Sequence, residues 1–138
     1  MESADEILGF EEPSEDVDRL AYAVLGASIE IHSELGPGHA ESAYEKALCI
    51  ELTKRGIPFV HQSRFTLMYK DHEVGEGRID LLVGGLLVVE IKAVDALAPL
   101  HTAQVVSYLN ATDKSLGLLI NFNVRRLKDG VKRVARTH

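Results

Sequence analysis

Hydrophobic positions recur with two different periods along the chain. From Val17 to Leu35 apolar residues recur every three or four positions, which predicts an amphipathic helix that ends at Gly36-Pro37-Gly38. Residues 40–55 and residues 99–113 show the same helical spacing. Three helices are therefore predicted, with Ser14 as the N-cap of the first.

Between and after these helices the period changes to that of β-strands. Aromatic and β-branched residues are concentrated in short runs that are separated by Gly- and Asp-containing turns. The predicted order ααβββαββ indicates a single α/β domain, in which helices flank a mixed central sheet. The predicted strands cover residues 57–70, 77–83, 86–94, 117–124 and 131–136, with turns at 71–77 and 128–130.

Three charged residues lie inside the most apolar part of the predicted sheet, residues 78–94. Burying an unpaired charge is costly, so Asp80, Glu90 and Lys92 require a reason. Glu90 and Lys92 are two apart and share one face of their strand. A two-residue Gly-Gly turn would place Asp80 opposite Val89, whereas a three-residue loop over 84–86 places it opposite Glu90. We predict the three-residue loop or an equivalent bulge.

Two carboxylates this close raise each other's pKa unless a cation lies between them. A hard divalent ion such as Mg²⁺ binds through one or two carboxylates plus a substrate phosphate. Lys92 would then face the attacking water and the phosphate, an arrangement suited to phosphodiester hydrolysis. The alternative is an ion pair between Lys92 and one carboxylate, with the other acid solvated; these residues alone leave both open.

Two helices add polar residues to this picture. Glu41 precedes Tyr44 on the apolar stripe of the second helix, where it either favours the helix N-terminus or points at the same metal. Tyr44 either hydrogen-bonds that carboxylate or packs. His101, Gln104 and Tyr108 follow one edge of the third helix, as at the rim of a cleft or at the border between core and solvent.

Charge is distributed unevenly along the 138 residues, whose formal net charge is −6. Residues 1–13 are predicted to be an acidic, mobile leader before a domain that spans 14–138. The C-terminal stretch is basic, which is compatible with phosphate binding. A single cysteine, Cys49, excludes an intrachain disulfide and favours the cytoplasm. No apolar run approaches the roughly 20 residues of a membrane-spanning helix.

Several short motifs together resemble a known family. The sequence GHAESAY at 38–44 matches the signature of the GxxExxY proteins. The arrangement Asp80-x9-Glu90-Ile91-Lys92 resembles the PD-(D/E)XK nuclease motif, and Gln104-x3-Tyr108 is similar to the QxxxY motif of its RecB-like branch. The chain thus resembles a GxxExxY member of the PD-(D/E)XK superfamily over about residues 17–136.

The resemblance implies a restriction-endonuclease-like αβββαβ core, with one helix added before it and one strand after it. It also implies a divalent metal, Mg²⁺ or else Mn²⁺, and gives Lys92 the task of orienting or activating the attacking water. The metal residues that it implies are Asp80, Glu90, the carbonyl of Ile91 and Glu41, while Gln104 and Tyr108 match residues on the substrate side.

We therefore expect a metal-dependent nuclease that acts on nucleic acid, with DNA as the expected substrate, and that forms a homodimer by analogy with other compact nucleases. The alternative is a non-catalytic module that binds nucleic acid or protein and retains the fold, a hypothesis favoured by the weak overall charge. The further residues expected to contact substrate are Tyr44, His101, Arg125, Arg126, Lys132 and Arg133.

Overall fold

The computed structural model describes residues 2–8 and 16–136. No helix among them is long and apolar enough to cross a membrane. The helices are α1 (Ala4–Leu8), α2 (Asp16–Leu35), α3 (Glu41–Lys54) and α4 (Pro99–Thr112), with a 3-10 helix at Leu127–Gly130. The strands are β1 (Phe59–Tyr69), β2 (His72–Val83), β3 (Leu87–Lys92), β4 (Leu116–Asn121) and β5 (Val131–Ala135).

The five strands form one sheet in the order β1-β2-β3-β4-β5. β3 and β4 are parallel and the other neighbours are antiparallel. A parallel pair needs a crossover connection, which α4 supplies. The elements from α3 to β4 follow the order αβββαβ, with α2 before them and β5 after them, so the predicted fold class is confirmed.

Apolar side chains fill both faces of the sheet. β4 is buried along its whole length and β3 along all but its last residue, as expected for central strands covered on two sides. Alternate residues of β3, including Val89 and Ile91, pack beneath α2 and α3. Val88 packs on the opposite face with Val105 and Leu109 of α4. Glu90 and Lys92 follow Val88 in this alternation and so belong to the α4 face.

The predicted three-residue loop is confirmed between β2 and β3. Leu81 pairs with Val89 and Val83 with Leu87, which leaves residues 84–86 as the connection. Gly84 and Gly85 have φ angles of 59° and 71°, a region that glycine enters without steric cost. The two glycines therefore fix the register of the strands that carry the acids.

The turn predicted at residues 71–77 is wrong. β2 begins at His72, and the connection from β1 consists of Lys70 and Asp71, whose φ angles are 47° and 65°. Two consecutive left-handed residues match the twist of a tight hairpin, although such turns favour Asn and Gly. The result is a two-stranded ribbon, residues 63–79, which extends beyond the positions that pair with β3.

The N-terminal stretch also differs from the expected mobile leader. Ala4 is buried in the main core, and the Glu2 carboxylate accepts hydrogen bonds from the backbone N–H groups of Leu127 and Lys128 at 2.7 and 2.8 Å. Glu2 and Ala4 therefore attach this stretch to the domain. The rest of the predicted leader, Met1 and residues 9–13, and the predicted cap Ser14 lie outside the described residues.

Candidate active site

Asp80 takes no part in regular strand pairing on either side of β2. On the β1 side the paired residues skip Gln62 and Asp80, and on the β3 side pairing ends at Leu81 and Val89. Ile79 and Leu81 would share a face in a regular strand, yet they pack into opposite faces of the sheet. The alternation of side chains therefore changes phase at Asp80. Gln62, with a φ of 56°, marks the same irregularity in β1.

The side chains of Asp80 and Glu90 replace the missing strand pairing. The Asp80 N–H donates to Oε1 of Glu90 at 3.0 Å, and the Ile91 N–H donates to Oδ2 of Asp80 at 2.8 Å. Each carboxyl group thus accepts a backbone hydrogen bond from the opposite strand. The two acids meet as the three-residue loop predicts.

Burial perturbs both acids, and the neighbouring charge of Asp80 adds to the effect on Glu90. Burial, and then the charge of Asp80, raises the pKa of Glu90 to about 9, since only 3% of Glu90 is exposed. Burial also raises the pKa of Asp80 to about 6, against the lowering effect of its hydrogen bond from Ile91. Both shifts disfavour the doubly charged state of the pair.

Lys92 points toward α4, where its ammonium donates to Oε1 of Gln104 at 3.3 Å. The ion pairs among the described residues do not include Lys92, so the alternative of a structural ion pair is not observed. Its charge still lowers the pKa of nearby Glu90. The lysine lies beside the acids without being bound to either.

These side chains open onto a cleft of about 500 Å³. The ribbon, β3, the start of α3 and the edge of α4 form its walls. Its lining residues are Glu41, Ser42, Glu45, Gln62, Glu76, Gly77, Arg78, Asp80, Glu90, Lys92, Gln104 and Tyr108. Six of the residues that the sequence singled out therefore surround one opening: Glu41, Asp80, Glu90, Lys92, Gln104 and Tyr108.

Comparison with known families agrees with this geometry. The model of the PD-(D/E)XK nuclease superfamily matches residues 18–134. The chain belongs to the PD-(D/E)XK nuclease superfamily.

Solved structures resemble the fold of this PD-(D/E)XK chain. The crystal structure of the protein SSO0001 is 18% identical, covers 98% of this chain and 74% of its own, and gives a TM-score of 0.54. An alkaline exonuclease from Laribacter hongkongensis is 12% identical, covers 99% of this chain and 77% of its own, and gives a TM-score of 0.48. No curated protein matches the sequence.

PD-(D/E)XK nucleases typically use divalent metal ions, and the acidic pair suits one. Within residues 2–8 and 16–136, no three Asp, Glu, His or Cys side chains are gathered closely enough to hold an ion by themselves. Asp80 and Glu90 nevertheless bring two carboxyl groups together on adjacent strands, and because burial raises the pKa of each, a bound cation would favour the ionised form of both. Hard cations are bound by such oxygens together with water and phosphate.

Glu45 is an acid of this PD-(D/E)XK site that the sequence analysis missed. Its carboxylate accepts a hydrogen bond from Nε2 of Gln62 at 2.7 Å and contacts Nε2 of His61 at 2.7 Å. Its charge also contributes to the raised pKa of Asp80. Glu41, one turn earlier, is exposed at the cleft wall. The four-residue spacing, which places both acids on one helix face, was the available signal.

Tyr44 and His101 do not line the cleft, which corrects their expected place among substrate contacts. Tyr44 is fully buried and stacks on Phe122 at 4.7 Å, while its hydroxyl donates to the Gly36 carbonyl at 2.6 Å. Nδ1 of His101 accepts the Ala98 N–H at 2.9 Å and so caps α4. Both side chains stabilise the scaffold.

The basic C-terminal residues also lie away from the cleft. β5 is the edge strand behind β4, at the opposite end of the sheet from the ribbon. Arg133 forms an ion pair with Asp18 of α2. None of the four expected substrate-binding residues, Arg125, Arg126, Lys132 and Arg133, belongs to the cleft lining.

Proposed function

We propose that this PD-(D/E)XK chain hydrolyses phosphodiester bonds of nucleic acid in a reaction that depends on a divalent cation, Mg²⁺ or Mn²⁺. The proposal rests on one observation. The Asp80 and Glu90 side chains meet through hydrogen bonds between their strands, beside the Lys92 ammonium, which forms no ion pair with either acid. A buried and a half-buried carboxyl group, both with raised pKa values, are costly for the fold, and a bound cation explains why both are present.

In this proposal Asp80, Glu90 and the carbonyl of Ile91 would bind the cation directly, and Glu41, exposed at the cleft wall, would reach it through bound water. The bound cation would lower the pKa of a water molecule and offset negative charge on the phosphate. Glu45, whose charge contributes to the raised pKa of Asp80, adds negative charge beside the cation. During hydrolysis the water oxygen forms a bond to phosphorus while the bond to the leaving sugar oxygen breaks.

Lys92, Gln104 and Tyr108 act on the phosphate side. Lys92 orients the water and stabilises the charge that develops on the phosphate oxygens. Gln104 keeps the ammonium directed into the cleft through its amide oxygen. Burial, followed by the charges of Glu90 and Asp80, raises the pKa of Tyr108, so its hydroxyl keeps its proton and can donate to a phosphate oxygen.

We propose DNA as the substrate and a homodimer as the active form, because one domain of this size offers little surface to hold a duplex. The match of residues 38–44 to the GxxExxY signature supports placing the chain in that subfamily. Light scattering tests the dimer, and a monomer that cleaves DNA at full rate would exclude it.

The test is cleavage of single-stranded, duplex and branched DNA and of RNA, with Mg²⁺, Mn²⁺ or EDTA. We expect cleavage that EDTA abolishes and that Lys92→Ala and Asp80→Asn reduce by at least about a hundredfold, as for removal of a transition-state contact. Lys54→Ala is the matched control, since Lys54 is exposed at the far end of α3.

Cleavage that survives both substitutions would come from a contaminant and would refute the proposal. Binding without cleavage in every metal, unchanged in the two variants, would instead support the non-catalytic module.

A further inference from the structure

Arg78 is one of two cationic side chains in a cleft that is otherwise acidic. Among the described residues, the charged lining comprises the acids Glu41, Glu45, Glu76, Asp80 and Glu90, and the bases Arg78 and Lys92. A nucleic-acid strand is a polyanion, so these acids repel it. Apart from a bound cation, its attraction to the cleft must come from Arg78 and Lys92.

Arg78 is free to bind a ligand. It is exposed, and its side chain makes no hydrogen bond or ion pair with any residue that the structure describes. Glu76, the acid two residues before it on the same strand face, is paired with Arg64 at 3.6 Å. Lys92, in contrast, is engaged by Gln104. The Arg64–Glu76 pair therefore leaves the guanidinium of Arg78 available.

The backbone next to Arg78 is held in place by the packing of the ribbon on α4. The Phe65 ring covers Gly77, where an added Cβ would lie 2.0 Å from that ring. The same ring meets the Tyr108 ring edge to face, with centroids 5.2 Å apart. A side chain on such a fixed base loses less freedom when it binds, which favours a specific contact over a diffuse one.

The position of Arg78 along β2 indicates which phosphate it can reach. Two residues of a strand span about 7 Å, so Arg78 lies that far from Asp80 along the chain. A phosphate undergoing hydrolysis at the acidic pair would lie next to Lys92, and at this distance Arg78 would meet a neighbouring phosphate of the same strand. A guanidinium presents a planar fork that binds phosphate oxygens in pairs.

We infer that Arg78 binds the phosphate adjacent to the scissile one and thereby positions the substrate strand in the cleft. This inference rests on the proposed function for the identity of the ligand as nucleic acid. Arg78 is a positioning residue: it sets the affinity for the strand and its register, while the acidic pair and Lys92 act on the reacting bond.

The experiment compares wild type, Arg78→Ala, Arg78→Lys and the control Arg19→Ala on one DNA oligonucleotide. Arg19 is exposed on α2 outside the cleft lining. We expect Arg78→Ala to raise KM by about ten- to hundredfold, the value of a charged hydrogen bond, with kcat within about threefold of wild type. Arg78→Lys keeps the positive charge but lacks the planar guanidinium, so its KM should lie between those of wild type and Arg78→Ala. Arg19→Ala should match wild type.

Binding measured in the Asp80→Asn background separates this inference from the proposed function, because it requires no cleavage. Loss of one phosphate contact should reduce the slope of log K against log salt concentration by about one. An unchanged KM and salt slope in Arg78→Ala, or an equal loss in Arg19→Ala, would overturn the inference even if cleavage is confirmed. Failure of the wild-type chain to bind DNA or RNA would overturn both proposals.

Discussion

Glu90, the buried member of the acidic pair, makes the stability of the metal-free protein depend on pH in a direction opposite to that of most carboxyl groups. The pKa of Glu90 is raised to about 9 in the folded chain, from its ordinary value of 4.5. Folding therefore takes up a proton at any pH between these values. The contribution of Glu90 to stability is fully present below about pH 4.5 and is lost progressively as the pH rises to about 9.

The expected size of the loss follows from the shift. Each pH unit in this window costs about 1.4 kcal/mol for one fully coupled group, so Glu90 alone costs roughly 3 kcal/mol at pH 7 relative to pH 4.5. Glu90→Gln removes the titration, and its amide oxygen can still accept the Asp80 N–H. Near neutral pH without metal, the variant should therefore unfold at a temperature roughly 10 °C above that of the wild type.

Thermal unfolding of wild type and Glu90→Gln in EDTA, at pH values from 5 to 9, measures this difference. Glu73→Gln is the matched control, since Glu73 is an exposed acid near the start of β2 and does not line the cleft. Addition of Mg²⁺ or Mn²⁺ at pH 8 should raise the unfolding temperature of wild type and have much less effect on Glu90→Gln, because an ion that binds the folded state stabilises it. A wild-type stability that stays level from pH 5 to 9 relative to Glu90→Gln would refute the reasoning.

Three further substitutions test the scaffold and the lysine. Tyr44→Phe should lower the free energy of unfolding by about 1–2 kcal/mol in urea titrations, since it removes a buried hydroxyl with two hydrogen bonds, and an equal loss in exposed Tyr69→Phe would contradict this. Gly77→Ala should cost about 1–3 kcal/mol in the same assay because its Cβ overlaps a ring, whereas Gly75→Ala, with its nearest contact at 3.9 Å, should cost less than half as much. Gln104→Leu should lower kcat about tenfold at unchanged stability, and an unchanged kcat would show that the role proposed for Lys92 needs no amide to orient the ammonium.

The register of the acidic pair could be predicted from the sequence because local chemistry determines it. Two consecutive glycines allow the left-handed conformations of the loop, and the loop length then decides which residue faces Glu90. The helices and central strands were also predictable, since their apolar periodicity is strong. The hairpin turn was not, because it places Lys70, a residue type that rarely adopts the left-handed conformation, beside Asp71.

Contacts between distant elements could not be predicted in the same way. Glu45 enters the site because β1 is irregular at Gln62, a feature that depends on the packed sheet rather than on the local sequence. The position of β5 at the far edge of the sheet separates the basic C-terminus from the cleft, and strand order is a property of the whole topology. Tyr44 occupies the helix stripe as predicted, but its partner Phe122 comes from 78 residues later in the chain.

The phase change at Asp80 divides β2 into two parts that can vary independently. The loop at Gly84 and Gly85 sets the alignment of the acids from one end, and the ribbon joins from the other end beyond the irregular position. Residues could therefore be inserted in or deleted from the hairpin tip around Lys70 in pairs without moving the acids relative to each other. The ribbon is thus the part of the protein whose length can change most easily. If the cleft binds nucleic acid as proposed, a longer or shorter ribbon would change how many nucleotides it contacts.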